Sequence, residues 1–346
     1  MMRRLNRIAL AFLLAAAGCG ENGPTERPVE ESGDAALQRA VEAVALGKID
    51  AADDAVTRAA ALMPDSAEVR LVAGQVAYFK KDYAGARAAF KAIAAETDLP
   101  AALRADALVA WAVTELAEDQ FDSSRLLLCR ALRLNRRNPA VWYHLGMLSR
   151  NTYRFDEAAL EQYEMAARLM NPSDARAKKL SHETIPAVRA AIAARAASKP
   201  GAAKRDAGKA AKLIAEAGAL RKKKMIRQAI KKYEAALEAD PFSYPAARAV
   251  GELVALNDKS ARGVDKALAA YRTAIDQRPA LQDNYYEAAR LAYANKRWAT
   301  AVAILNRALA HDPENVKALD LFIAAMRKAG KSRQAAAWES YRRDIR

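Results

Sequence analysis

The chain has little of what most enzyme sites are built from. It has two cysteines, three histidines and only 7% aromatic residues among 346 positions. The histidines, His144, His182 and His311, are far apart, and none falls at metal-ligand spacing from Cys or another His. No glycine-rich phosphate loop and no nucleophile elbow occurs. No run alternates Val, Ile and Thr as a half-buried strand would. These absences point away from a cofactor-bearing or metal-dependent catalyst, and from a β or α/β fold. The expectation is a protein that is not an enzyme, with no cofactor and no metal.

What is present is alanine at fixed spacing. Pro279 and Pro313 lie 34 residues apart. Each has Ala five residues earlier (Ala274, Ala308) and twelve residues earlier (Ala267, Ala301), and Pro241 repeats this with Ala236 and Ala229. Small side chains let two helices cross closely, and proline ends a helix because it has no N–H and pushes its predecessor out of helical geometry. A bulky residue would fill the gap between neighbouring units: Phe90, Leu128, Tyr233, Tyr271 and Leu305 stand at that place. The stretch Trp142-Tyr143-His144-Leu145-Gly146, then Phe155-Asp156-Glu157-Ala158, is the fullest single copy.

This period and signature resemble the tetratricopeptide repeat family. Eight units are expected between residues 35 and 346. The fourth has a second helix about two residues too long, and the sixth carries about four extra residues around Asn257–Val264. The last is charged at its end, as a capping unit should be. The resemblance implies an all-α solenoid of helical hairpins forming a superhelix, whose first helices line a concave groove for a protein or peptide partner. It places Tyr143, His144, Met147 and Arg150 of the fourth unit, and Tyr286, Arg290 and Tyr293 of the seventh, towards that groove. His144 and Met147 stand where the family's carboxylate clamp has asparagines, so that clamp is not expected. The tyrosines serve inter-helix packing equally well.

Residues 1–18 form a targeting segment: Arg3, Arg4 and Arg7 precede the short apolar run Ile8–Ala17. Ala16-Ala17-Gly18-Cys19 resembles the lipobox of bacterial lipoproteins, with Ala16 where leucine is usual. That resemblance implies acylation of Cys19, and Gly20 after it points to the outer membrane, facing the periplasm. An ordinary cleaved secretory signal is the alternative. Residues 19–34 would be a flexible tether, 35–172 an N-terminal array of about four repeats, 173–205 a basic helix and linker, and 206–346 a C-terminal array. Within the linker, Thr184-Ile185-Pro186 suggests a helix start, with Ile185, Val188 and Ile192 on one face. Cys129, in Leu126–Ala131, suits a buried small apolar residue.

The formal charge is +15, and it is unevenly placed. Residues 173–232 hold 17 Lys and Arg against four Asp and Glu. Arg221, Lys222, Lys223 and Lys224 fall at the end of a first helix and its turn. There they either satisfy the helix dipole or bind a polyanion. Anionic lipid or an acidic protein segment fits an envelope compartment. Nucleic acid is not expected, since no aromatics interleave with the basic run. Two functions follow: a membrane-anchored scaffold for envelope complexes (secretion, pilus, outer-membrane or cell-wall machinery), or a spacer that binds lipid or polyanion through 173–232.

Overall fold

The computed structural model describes residues 32–198 and 205–345. The leader, Cys19 and nearly all of the tether lie outside them. Every regular element among the described residues is a helix. The chain forms eight helical hairpins: α1 (Gly33–Ala45) with α2 (Ile49–Leu62), α3 (Ala67–Phe79) with α4 (Tyr83–Ala95), α5 (Ala101–Ala117) with α6 (Phe121–Leu134), and α7 (Pro139–Met147) with α8 (Asp156–Leu169). Then come α9 (Ala175–Lys179) and α10 (Ile185–Ala197). The remaining hairpins are α11 (Ala207–Lys222) with α12 (Ile226–Ala239), α13 (Tyr244–Asn257) with α14 (Ala261–Gln277), α15 (Gln282–Ala294) with α16 (Trp298–His311), and α17 (Val316–Lys328) with α18 (Ser332–Asp344).

These residues group into two compact units. One is the chain through Leu148 with Gln162–Ala177; the other is Ser149–Glu161 with the chain from Lys178 on. Within each unit, successive hairpins pack on one another. The repeat alanines Ala52, Ala86, Ala131, Ala229, Ala236, Ala267, Ala274, Ala301 and Ala308 are fully buried. The gap-filling residues meet glycine where the family pattern asks for it: a Cβ on Gly74 would lie 2.6 Å from Phe90, and one on Gly146 would lie 2.6 Å from Tyr163. Cys129 is 1% exposed, one more small core residue.

The turns inside six of the eight hairpins share one backbone device. Gly47, Lys81, Asp119, Lys224, Lys296 and Gly330 all have positive φ. The N–H of the following residue bonds back to the first helix five residues earlier, for example Asp82 to the Ala77 carbonyl and Met225 to that of Leu220. This is the left-handed closure that satisfies the last carbonyls of a helix. The fourth hairpin departs from it. Its first helix runs into a π turn at Leu148–Thr152, and Phe155 donates to the Ser149 carbonyl, six residues back. The π turn takes up one residue, so Ala159, not Ala158, is the alanine equivalent to Ala86, and Tyr163 takes the place of Phe90. The apparent excess in this unit therefore lies at the end of the first helix, not in the second. In the sixth hairpin the extra residues become an added first turn of α14, which is 17 residues long and capped by the Ser260 hydroxyl accepting from Gly263.

The helix expected to start at Thr184 begins earlier. Helical backbone runs from Ala175 through a π turn at Leu180–Thr184 into α10, and Thr184 itself has helical dihedrals. Pro186 follows directly on the π turn, in which the Ile185 N–H bonds the Leu180 carbonyl five residues back, and itself donates no bond. Ile185 and Val188 are buried and Ile192 half-buried. Within the second unit, Arg195 of α10 pairs with Asp156 at 3.3 Å and Glu157 at 2.8 Å. Arg307 of α16 pairs with Asp276 at 3.0 Å and Glu157 at 3.6 Å, and His311 Nδ1 lies 2.9 Å from Glu161. Such contacts between non-adjacent hairpins are more than nearest-neighbour stacking requires.

Candidate functional site

First helices of consecutive hairpins lie side by side, and between α13 and α15 they leave an open cavity of about 430 Å³. The α13 wall is Arg248, Glu252, Ala255 and Leu256, with Lys259 just past its end. The α15 wall includes Asp283, Asn284, Glu287, Arg290, Leu291 and Ala294, and Tyr271 of α14 reaches the cavity from behind. The helical period explains the walls: 248, 252 and 256 are successive turns of one face, as are 283, 287, 290 and 294. Val250, Leu253 and Val254 on the opposite face of α13 are buried in the core. Leu256 is turned outward and 61% exposed.

The charges here are held in place. Glu252 takes a fork from Arg221 of the preceding hairpin at 3.1 and 3.4 Å. Arg290 binds Glu287 at 2.7 Å, and Lys259 caps the Ala255 carbonyl at 2.5 Å. Arg248 donates to the Tyr244 hydroxyl at 3.0 Å, and the Arg278 guanidinium lies 4.4 Å from the Tyr244 ring centroid. Burial pulls the Tyr244 phenol upward, but the bonds from Arg248 and Asn284 and the two guanidiniums outweigh it and leave it below its ordinary value. Burial, with Glu287 and Glu252 adding to it, pushes the Tyr271 hydroxyl up to about 12. Asn284 is 1% exposed, and its side-chain oxygen has no hydrogen-bond partner among the described residues. The cavity thus combines an apolar floor with fixed charges of both signs and one unfilled acceptor. That chemistry suits a peptide segment, with an apolar side chain to seat and polar groups to orient.

The residues expected from sequence do not form one patch. Arg290 lines the cavity; Tyr286 and Tyr293, on the same helix, are half-buried and do not. Tyr143 and Met147 are half-buried in the first unit, where Tyr143 packs against Tyr163 at 6.0 Å between ring centroids. Arg150 falls in the π turn and belongs to the second unit. His144 is buried, with neither ring nitrogen hydrogen-bonded. Burial, then the Arg176 charge, lowers its pKa to about 4 and keeps it neutral. Arg221 serves Glu252, while Lys222, Lys223 and Lys224 are exposed at the α11–α12 turn. The cavity residues of α13 escape sequence reasoning because the insertion after Asn257 blurs the register of that unit. The available signal is the 248, 252, 256 spacing of non-core residues on an otherwise apolar helix.

Among the described residues, no helix is long and apolar enough to cross a membrane, and no three His, Cys, Asp or Glu converge on a metal position. A tetratricopeptide repeat model matches residues 37–100, 109–177 and 255–316. Solved structures similar to this chain include yeast Tom70, at 15% identity, covering 98% of this chain and 70% of that one, with a TM-score of 0.36. The MamA protein is 14% identical over 60% of this chain and 91% of its own, TM-score 0.34. PilF of Pseudomonas aeruginosa is 15% identical over 68% and 88%, TM-score 0.29. A search of curated proteins gives no match.

Proposed function

This chain belongs to the tetratricopeptide repeat family, and we propose that it is a membrane-anchored scaffold in the cell envelope that holds a peptide segment of a protein partner between α13 and α15. Proteins of this family act in general as non-catalytic interaction scaffolds. The observation that carries the site is the 430 Å³ cavity between two first helices, with Leu256 exposed at its edge. A stack of hairpins holds two helix faces at a fixed spacing, so a bound segment meets a preorganised surface. An apolar side chain seats on Leu256, Leu291, Ala255 and Ala294, and the charge pairs orient the rest.

The envelope placement rests on the leader and on Cys19 with its preceding small residues. Acylation of Cys19 would fix the mature N-terminus in the outer membrane, with the repeats on the periplasmic side. The assembly tasks that suit such a chain are secretion, pilus, outer-membrane and cell-wall machinery. Two measurements test the proposal. Mass spectrometry of the mature N-terminus should find Cys19 diacylated; an intact Met1 would remove the envelope reading. A photo-crosslinker at Leu256 in living cells should trap a defined protein partner, and Arg290→Glu should abolish that product. No product, or one indifferent to Arg290, would overturn the groove assignment.

A further inference from the structure

The α11–α12 turn differs from the other hairpin turns in two respects at once. Lys222, Lys223, Lys224, Arg227 and Lys231 are all exposed there, and none has an ion pair among the described residues. The nearby acidic groups are engaged: Glu216 pairs with Lys232 at 2.5 Å, and Glu252 with Arg221. In the middle of this collar stands Met225, 41% exposed. The residue that follows the positive-φ position is Lys48, Asp82, Gln120, Arg297 or Lys331 in five other turns, and the half-buried Phe155 in the fourth hairpin. An apolar residue at this place ordinarily folds back onto its own helix. Met225 does so only in part.

We infer that this turn is a docking tip for an anionic bilayer surface, with the lysines in the headgroup layer and Met225 at the acyl boundary. The shape selects that occupant. The tip is the end of a hairpin, a convex knob that meets a flat surface better than it clasps a peptide. Its cations are mostly lysines, which are mobile point charges, not the planar forks that read one carboxylate. A soluble acidic chain would use the charges but offer nothing to the methionine. A bilayer interface receives both, as amphipathic surface binders show. Each basic residue near an anionic leaflet raises partitioning about five-fold. This inference stands whether or not the groove holds a peptide.

The test is co-sedimentation of the full chain with phosphatidylcholine vesicles, with and without phosphatidylglycerol. Comparison with variants in the tip removes whatever the N-terminal segment contributes. Excess binding to the anionic vesicles is expected. Joint replacement of Lys222→Gln, Lys223→Gln and Lys224→Gln should lower that excess about a hundredfold. Met225→Ser should lower it several-fold without changing any binding to soluble polyglutamate. All four positions are exposed, so circular dichroism should be unchanged, and the Leu256 crosslink should persist. Equal binding to both vesicle types, or a triple variant whose preference for phosphatidylglycerol is undiminished, would overturn the inference. So would a Met225→Ser variant with undiminished vesicle binding, since the methionine would then have no place at the acyl boundary.

Discussion

At the scale of single residues, two buried titratable groups in the first unit oppose each other. Asp106 accepts a 2.7 Å bond from Asn138, yet burial dominates and raises its pKa to about 7. His144 is lowered to about 4. Between pH 4 and 6.5 the folded state keeps the Asp106 proton that the unfolded chain has lost, so this group makes stability fall as pH rises. Over the same interval the unfolded chain protonates the histidine and the folded one does not, so His144 makes stability rise with pH. The two slopes cancel in the native protein, and each substitution should expose the other. Asp106→Asn keeps the Asn138 bond, and its stability should fall steadily on acidification from pH 6.5 to 4. His144→Leu should lose stability as pH rises from 4 to 7. Each difference is on the order of 3 kcal/mol, readable in urea unfolding midpoints across pH. The sequence marked neither as buried: His144 was expected to face the groove, and Asp106 was not singled out. A carboxylate or imidazole becomes buried only when neighbouring hairpins close over it, and repeat spacing says nothing of which polar residues they cover.

At the scale of the element, the hairpin is governed by its inner contact and its turn. Gly146→Ala would place a methyl group 2.6 Å from the Tyr163 ring, and Gly74→Ala would do the same at Phe90. Each should lower stability by about 1–3 kcal/mol in denaturant titrations, because a close-packed crossing has no room to yield. The turns respond in the opposite direction. Lys296 holds φ at 60° with its side chain exposed. Lys296→Gly should raise stability by up to about 1 kcal/mol, since glycine adopts that conformation without the Cβ clash. Hairpin count, the alanine seams and the prolines were legible along the chain, because each follows from one helix needing to pass close to the next. The π turns at Leu148–Thr152 and Leu180–Thr184 were not. One residue of excess can be absorbed at several places in a helix at similar cost, and neighbouring helices select among them. The longer α14 shows the other solution, an added turn with its own serine cap.

At the scale of the whole molecule, stability accumulates from neighbour to neighbour, so ends and cross-contacts matter most. Leu319, Phe322, Ile323 and Met326 of α17 are buried, and they cover the preceding hairpin. Truncation after Asp312 should therefore uncover α16 residues such as Leu305 and Leu309, and should show as lower solubility and a lower thermal midpoint. Within the second unit, Arg307 joins Asp276 and Glu157 from well-separated parts of the chain. Arg307→Ala should cost about 1–3 kcal/mol in unfolding experiments, because Asp276 loses this ion pair and Glu157 is left with Arg195 alone. The sequence by itself determined that this chain is a series of alanine-seamed helical hairpins, because that pattern is set by local geometry repeated every few turns. It also placed the excess positive charge in residues 173–232. Only the tertiary structure decided that α13 and α15 leave a cavity, that His144 is inside and that Met225 remains outside. Those outcomes depend on how two helix faces, each unremarkable alone, are spaced by the helices behind them.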